Sequence, residues 1–316
     1  MRVLVTGGLG FTGRAVTHVL AEHGHQVTVL TSRPEASRAE VPAGVGLAHA
    51  DLRDVDAVTA LVGTGQFEGV CHLAARTRVR DSFADPVGYF AVNVAGTIHL
   101  AGALDQVAER TGQTPRLVFG STGAVYGPLE GALTEDAPPA PHTPYGASKH
   151  AAEQLLTHQA ATGRLAVISL RCFNIAGAVD GVGDPDTTRI IPKTLAVAAG
   201  QFPHVLINGD GSALREYTHP LDVAHAYRLA LDAARPGKHT IYNVGSGTPV
   251  SVTDVVETVR RITGHPVPTE HRPPAPEARV LMADSTRIRH DLGWTPTNSA
   301  LHEIIRDAWT AATAPA

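Results

Sequence analysis

Short apolar, β-branched runs recur through the first half of the chain, separated by longer segments rich in Ala and Leu. Residues 3–6, 26–30, 69–73, 117–119 and 167–170 carry the strand pattern. Between them, 12–23, 55–62, 90–110 and 145–162 are long and helix-prone. Strands that alternate with helices predict an α/β fold, a doubly wound parallel sheet covered on both faces. After about Asn174 the alternation breaks, and Pro and Gly become frequent in 177–186, 202–212 and 266–276. That shift predicts a smaller C-terminal lobe, with 1–173 as the main domain and 174–316 mainly as the lobe. The proline-rich run 271–276 carries Arg272 and reads equally as a linker or as part of a binding surface.

Composition narrows the function. With 316 residues, 43% of them apolar and 18% charged, the chain can bury a sizeable core. Its formal charge of −4 offers no attraction to nucleic acid or to an acidic membrane surface. Cys71 and Cys172 form no CxxC pair, so neither a disulfide framework nor a metal site is expected, and a reducing cytoplasm fits. The apolar run at residues 3–6 leads straight into glycines and reads as a strand rather than a signal sequence. No stretch approaches the roughly 20 apolar residues that span a bilayer.

Gly7, Gly10 and Gly13 follow the first strand, and Phe11 and Thr12 open the helix after it. In that setting the glycines allow a tight turn, approach of a pyrophosphate to backbone N–H groups, and close helix–strand packing, the Rossmann dinucleotide arrangement. Asp51-Leu52 and Leu73-Ala74-Ala75 also follow apolar runs, where a cofactor would lie. The second strand lacks the acid that usually accepts bonds from an adenosine ribose and ends in Thr31-Ser32-Arg33. Thr31 and Ser32 suit a ribose, whereas Arg33 suits the 2′-phosphate of NADP, so both NAD and NADP stay open.

Tyr145 and Lys149 lie four apart after Pro144, on one face of a helix. A lysine cation beside a phenol favours phenolate, which predicts a lowered Tyr145 pKa and a general base. Upstream, Ser121 and Thr122 end a strand whose carboxyl end faces the ligand crevice of such a sheet, where a hydroxyl can bond a reacting group.

Taken in order, residues 6–13, Asp51-Leu52, residues 72–75, Asn93, Ser121-Thr122, Tyr145 with Lys149, and Arg171-Cys172-Phe173-Asn174 resemble the extended short-chain dehydrogenase/reductase family. Residues 210–219 and 242–247 are similar to the nucleotide-sugar-binding segments of its UDP-glucose 4-epimerases. The resemblance implies a nucleotide-sugar 4-epimerase with tightly bound NAD. Tyr145 is then the base, Lys149 its helper on the nicotinamide ribose, and Thr122 a hydrogen-bond partner of the sugar 4-hydroxyl. Asn93 falls among the cofactor residues, segments near 215–245 return to the dinucleotide domain, and Asn174, Arg215 and a displaced Arg272 hold the diphosphate. Sister dehydratases and decarboxylases carry an acid just after the catalytic Ser/Thr, where this chain has Gly123 and Ala124.

Departures keep the sugar open. Cys172 stands where the family usually has Tyr, Thr77 where Lys is frequent, and Leu281 at a gate that screens N-acetylhexosamines. Arg78 and Arg80 lie where the sugar is expected, and either suits a uronic acid carboxylate as well as solvent. UDP-glucose, UDP-galactose and UDP-glucuronate are therefore all candidate substrates. The competing readings are an NADP-dependent 4-ketoreductase or epimerase-reductase, and a non-catalytic dinucleotide sensor. The resemblance also implies a homodimer built on helices 90–110 and 145–162.

Overall fold

A computed structural model of the protein describes residues 1–274 and 278–314. Ala275 and Pro276 of the proline-rich run lie outside them. The first half contains β1 (Arg2–Thr6), α1 (Phe11–Glu22), β2 (Gln26–Thr31), β3 (Gly46–His49), α2 (Val55–Gly65) and β4 (Gly69–His72). It continues through α3 (Val79–Ala84), α4 (Pro86–Phe90), α5 (Gly96–Thr111), β5 (Arg116–Thr122), β6 (Gly131–Leu133), α6 (Pro144–Ala161) and β7 (Ala166–Cys172). The second half holds β8 (Ala178–Val179), β9 (Val182–Gly183), α7 (Ile190–Ala198), β10 (Val205–Asn208), β11 (Leu214–Glu216), α8 (Pro220–Ala233) and β12 (His239–Val244). It ends with β13 (Pro249–Ser251), α9 (Val252–Thr263), β14 (Thr269–Arg272), β15 (Val280–Ala283), α10 (Thr286–Leu292) and α11 (Leu301–Thr313).

Seven parallel strands form the main sheet in the order β12-β7-β5-β4-β1-β2-β3. The doubly wound reading holds. Strands buried on both faces read as continuous apolar runs, and Val3, Leu4 and Val5 are all fully buried. Val3 and Val5 pack into the cluster that includes Ala15, Val16 and Tyr227, whereas Leu4 turns to Val58, Leu100, Leu104 and Leu156 on the other side. Each such side chain contributes about 1.5–3 kcal/mol of burial. The strand order reverses between β1 and β4, and that reversal opens the crevice where ligands of such sheets bind.

Outside the main sheet lies a four-stranded sheet, β13-β11-β15-β6, with β10 paired to β14. A separate core joins Ile191 and Leu195 of α7, Val255 and Val259 of α9, and Ile304 and Ile305 of α11. Elements are traded between the two halves. β6 leaves the first half to edge the four-stranded sheet, while α8 and β12 return to the main sheet.

Caps explain where α6 begins: Thr143 accepts from Gly146 N at 3.0 Å, and Pro144 occupies the first turn. The segment read as helix 90–110 starts earlier, at Pro86, because Asp85 caps it by accepting from Gly88 N at 2.9 Å. A π-helical turn at Ala91–Ala95 interrupts it. The whole run Pro86–Thr111 is long and apolar enough, by length and composition, to cross a membrane. That corrects the reading that no such stretch exists. Uninterrupted apolar runs in it are short, because Gly88, Asn93, Gly96, Thr97 and His99 break them. Its inward side is committed to the core through Tyr89, Leu100 and Leu104.

Candidate active site

Two glycines make the turn after β1 irreplaceable. Gly7 has φ +71°, and a Cβ there would fall 2.7 Å from Ala74 N; one on Gly13 would fall 2.0 Å from Gly7 O. Gly10 caps α1 with no side-chain bond, which leaves the first N–H groups of a 12-residue helix to an incoming anion. Phe11 and Thr12 form its first turn, and Leu73, Ala74 and Ala75 run alongside from β4. A cradle that any Cβ would fill, facing open N–H groups, fits a dinucleotide pyrophosphate.

At the end of β2 the polar groups bond one another. Thr31 Oγ1 accepts from Arg33 N at 3.2 Å, Ser32 is exposed, and the Arg33 guanidinium is bonded to the Glu40 carboxylate. Glu40 also lies 3.9 Å from Arg14 and is held well below the usual carboxylate range, chiefly by its hydrogen bond from Arg33. A 2′-phosphate at Arg33 would have to face that acid. Asp51 is engaged by Arg53 through N at 2.8 Å and Nη2 at 2.6 Å, and Leu52 is buried beneath it.

At the carboxyl ends of β5 and α6's first turn, Thr122 and Tyr145 meet. The Thr122 hydroxyl lies close enough to the phenol to favour its ionised form. Burial nevertheless pushes Tyr145 up to about 12, with Thr122 and the Arg189 cation pulling it back. The expected depression is thus reversed, because desolvation of the phenolate outweighs nearby donors and cations. Lys149 is 3% exposed, its Nζ sits 4.5 Å from the Phe119 ring centre, and burial pulls it down to about 8. Asn93, inside the π-helical turn, accepts from Arg76 N at 2.8 Å and donates to Arg76 O at 3.0 Å and Ser148 Oγ at 2.9 Å. Both of its N–H groups are used within the protein, so it braces α6 rather than reaching out. Ser121 Oγ is buried without a hydrogen bond of good geometry and helps hold the Glu153 carboxylate ionised.

The arginines divide. Arg78 stands at the N-cap position of α3 without a side-chain cap bond, with Asp81 3.9 Å away and the side chain 59% exposed. Arg80 is exposed on the same helix. Asn174 donates to Glu216 O at 3.1 Å, and Arg215 donates to Leu214 O at 2.7 Å from β11. Arg272 is bonded to Asn208 across the β10–β14 pair. Two arginines escaped the sequence reading. Arg189 caps α7 and pairs with Asp184 at 3.0 Å, and Arg279 borders a cavity of about 420 Å³ with Asn208, Asp210 and Pro274. Neither sits in a motif that spacing reveals. Among the described residues no His/Cys/Asp/Glu group could hold a metal ion.

The model of the family described as NAD dependent epimerase/dehydratase family matches residues 3–245. A UDP-glucose 4-epimerase of Corynebacterium glutamicum is 41% identical over 319 positions, covering 98% of this chain and 95% of that protein. The chain belongs to the NAD dependent epimerase/dehydratase family. Members with known structure are close in shape. The UDP-glucose 4-epimerase of Thermus thermophilus, solved in complex with NAD, aligns with TM-score 0.87 at 31% identity, covering 100% of both chains. MoeE5, solved with UDP-glucuronic acid and NAD, aligns with TM-score 0.83 at 31% identity, covering 99% of each. Against the family pattern, Cys172 lies buried beside Lys149 and Tyr145, and Leu281 of β15 packs against the Val125–Tyr126–Leu133 cluster.

Proposed function

We propose that this chain is an NAD-dependent isomerase, a nucleotide-sugar 4-epimerase acting on a UDP-linked hexose. The observation that carries this reading is the meeting of Tyr145 with Thr122 at the sheet's crevice, beside a glycine cradle and with no acid at positions 123 or 124. Bound NAD supplies reversible hydride exchange at the sugar C4, so that hydride removed from one face returns to the other. Tyr145, once the Lys149 cation has helped it lose its own proton, takes the proton of the 4-hydroxyl and gives it back, and Thr122 holds that hydroxyl in place. Gly7, Gly10, Phe11, Thr12 and Gly13 would hold the pyrophosphate, with Thr31, Ser32, Asp51 and Leu52 toward the adenosine end. Asn174, Arg215 and Arg272 serve the UDP diphosphate from the lobe at 174–316.

UDP-glucose and UDP-galactose are the first candidates. UDP-glucuronate is a second, favoured by the exposed Arg78 cation and by the likeness to MoeE5, solved with that sugar nucleotide. The reductase reading loses ground to the Arg33–Glu40 pair. Val79, Phe83, Val87, Phe90 and Ile98 are 39–79% exposed along α3 to α5, a strip whose occupant in this reading is the same strip of a second copy.

One preparation tests the activity. Denatured protein should release NAD, and the intact enzyme should interconvert the two 4-epimers of a UDP-hexose with no net NADH formation. Turnover only with added NADPH, one consumed per product, would overturn the reading.

A further inference from the structure

One turn beyond Lys149 on α6 lies a buried ion pair that the proposed reaction does not use. Glu153 has 2% of its side chain exposed and Arg171, on β7, 3%. They bond through two N–H groups, Nε to Oε1 at 3.0 Å and Nη2 to Oε2 at 2.7 Å. The arginine is fixed on its other side, where Nη1 donates to Tyr126 OH at 2.9 Å and that hydroxyl donates to Asn243 Oδ1 at 2.7 Å. A buried pair of this kind is a poor way to gain stability, since desolvating two charges offsets most of their attraction. Its position suggests another use.

Among the described residues, the groups that act on Lys149 are Glu153 on its own helix, His72 of β4, the Phe119 ring of β5, and Cys172 of β7, with Arg171 behind Glu153 and Tyr145 one turn earlier on α6. Burial holds His72 neutral, near 3, so it adds no positive charge. Burial pushes the Cys172 thiol and the Tyr145 phenol up to about 12, so at neutral pH neither is an anion. Glu153 alone among them is an anion: burial opposes its charge, but His150, 3.7 Å away, and the bonds from Arg171 outweigh that. Its (i, i+4) spacing from Lys149 puts both on one helix face.

We infer that Glu153, clamped by Arg171, is a positioning residue that keeps Lys149 cationic at the pH of catalysis. The inference rests on the epimerase reading for Lys149's task, yet it can fail separately. The experiment compares kcat/KM against pH for wild type, Glu153→Gln and Arg171→Gln, with melting temperatures to verify folding. Glu153→Gln removes the anion, so the alkaline limb should move down by about one pH unit. Arg171→Gln removes the bonds that hold the buried Glu153 carboxylate ionised, so the limb should also move down, by no more than in Glu153→Gln. A purely structural pair would lower activity without moving the limb, and an unmoved limb in Glu153→Gln overturns the inference. If Glu153→Gln does not fold, the limb of Arg171→Gln decides. The acetylation rate of Lys149 against pH, mapped by peptide mass spectrometry in the same three proteins, should shift in the same direction. It also reads the inference if wild type shows no epimerase turnover, the result that sinks the functional reading instead.

Discussion

The corner around Tyr145 and Lys149 and the arginine rim of this molecule solve the problem of charge in opposite ways. Around Tyr145 and Lys149 the polar groups are buried and bonded within the protein, from Thr6 and His72 through Thr97 and Asn93 to Ser148. On the rim, Arg78 and Arg189 are 59% and 44% exposed and lie beside Asp81 and Asp184. Exposed pairs of that kind are worth about 0–1 kcal/mol, so an incoming diphosphate or carboxylate can displace the acids cheaply. Reorganising the corner would expose groups that have no other partner. In the proposed reading, the chemistry is therefore set in advance, while recognition is an exchange of partners.

The strongest way to break this contrast is Tyr145→Phe. Turnover should fall about 10³-fold with the melting temperature nearly unchanged; wild-type turnover would remove the corner from the reaction altogether. Thr122→Val should lower kcat about 10- to 100-fold while KM stays within about threefold, the mark of a contact made in the transition state. Acid should unsettle the corner before the rim. His72 and His239 are held near 3 and 4 by burial, against an ordinary value of 6.5. Because the unfolded chain binds protons that the fold refuses, their contribution is complete above about pH 6.5. It is lost toward those folded values at up to about 1.4 kcal/mol per pH unit each. Denaturation midpoints that stay flat from pH 7 to 4 would show that the two histidines do not govern acid stability. For the rim, Arg215→Gln should raise KM for the sugar nucleotide about tenfold and leave kcat within about twofold. Arg78→Gln should change UDP-glucose kinetics less than about threefold and weaken UDP-glucuronate more; equal effects on both would deny it a part in sugar choice.

What could be read without coordinates follows the same divide. β1, β2, β4, β5 and β7 all lie where the apolar runs place them, within a few residues, because strands buried on both faces leave a continuous signature. The glycine turn and the Tyr145–Lys149 spacing were equally plain, since each is local in sequence. The π-helical turn at Asn93 was not legible, because one extra residue within an apolar helix barely disturbs its periodicity. Arg189 and Arg279 were missed for another reason: each stands in an irregular stretch and gains meaning only through what the fold brings beside it. The Tyr145 pKa went the wrong way because spacing reports a neighbouring cation but says nothing about desolvation.

The trading of strands between the halves bears on how the chain is made. β7 ends at Cys172, yet the strand that covers its open side, β12, begins only at His239. During synthesis the sheet must wait with a bare edge while the intervening segment emerges, a template for pairing with another nascent chain. Long-range parallel pairing of this sort is slow. A fragment cut after residue 173 would keep the glycine turn and the Tyr145–Lys149 pair but keep that edge open as well. It should collect in inclusion bodies, whereas one that runs through β12 should stay in the supernatant.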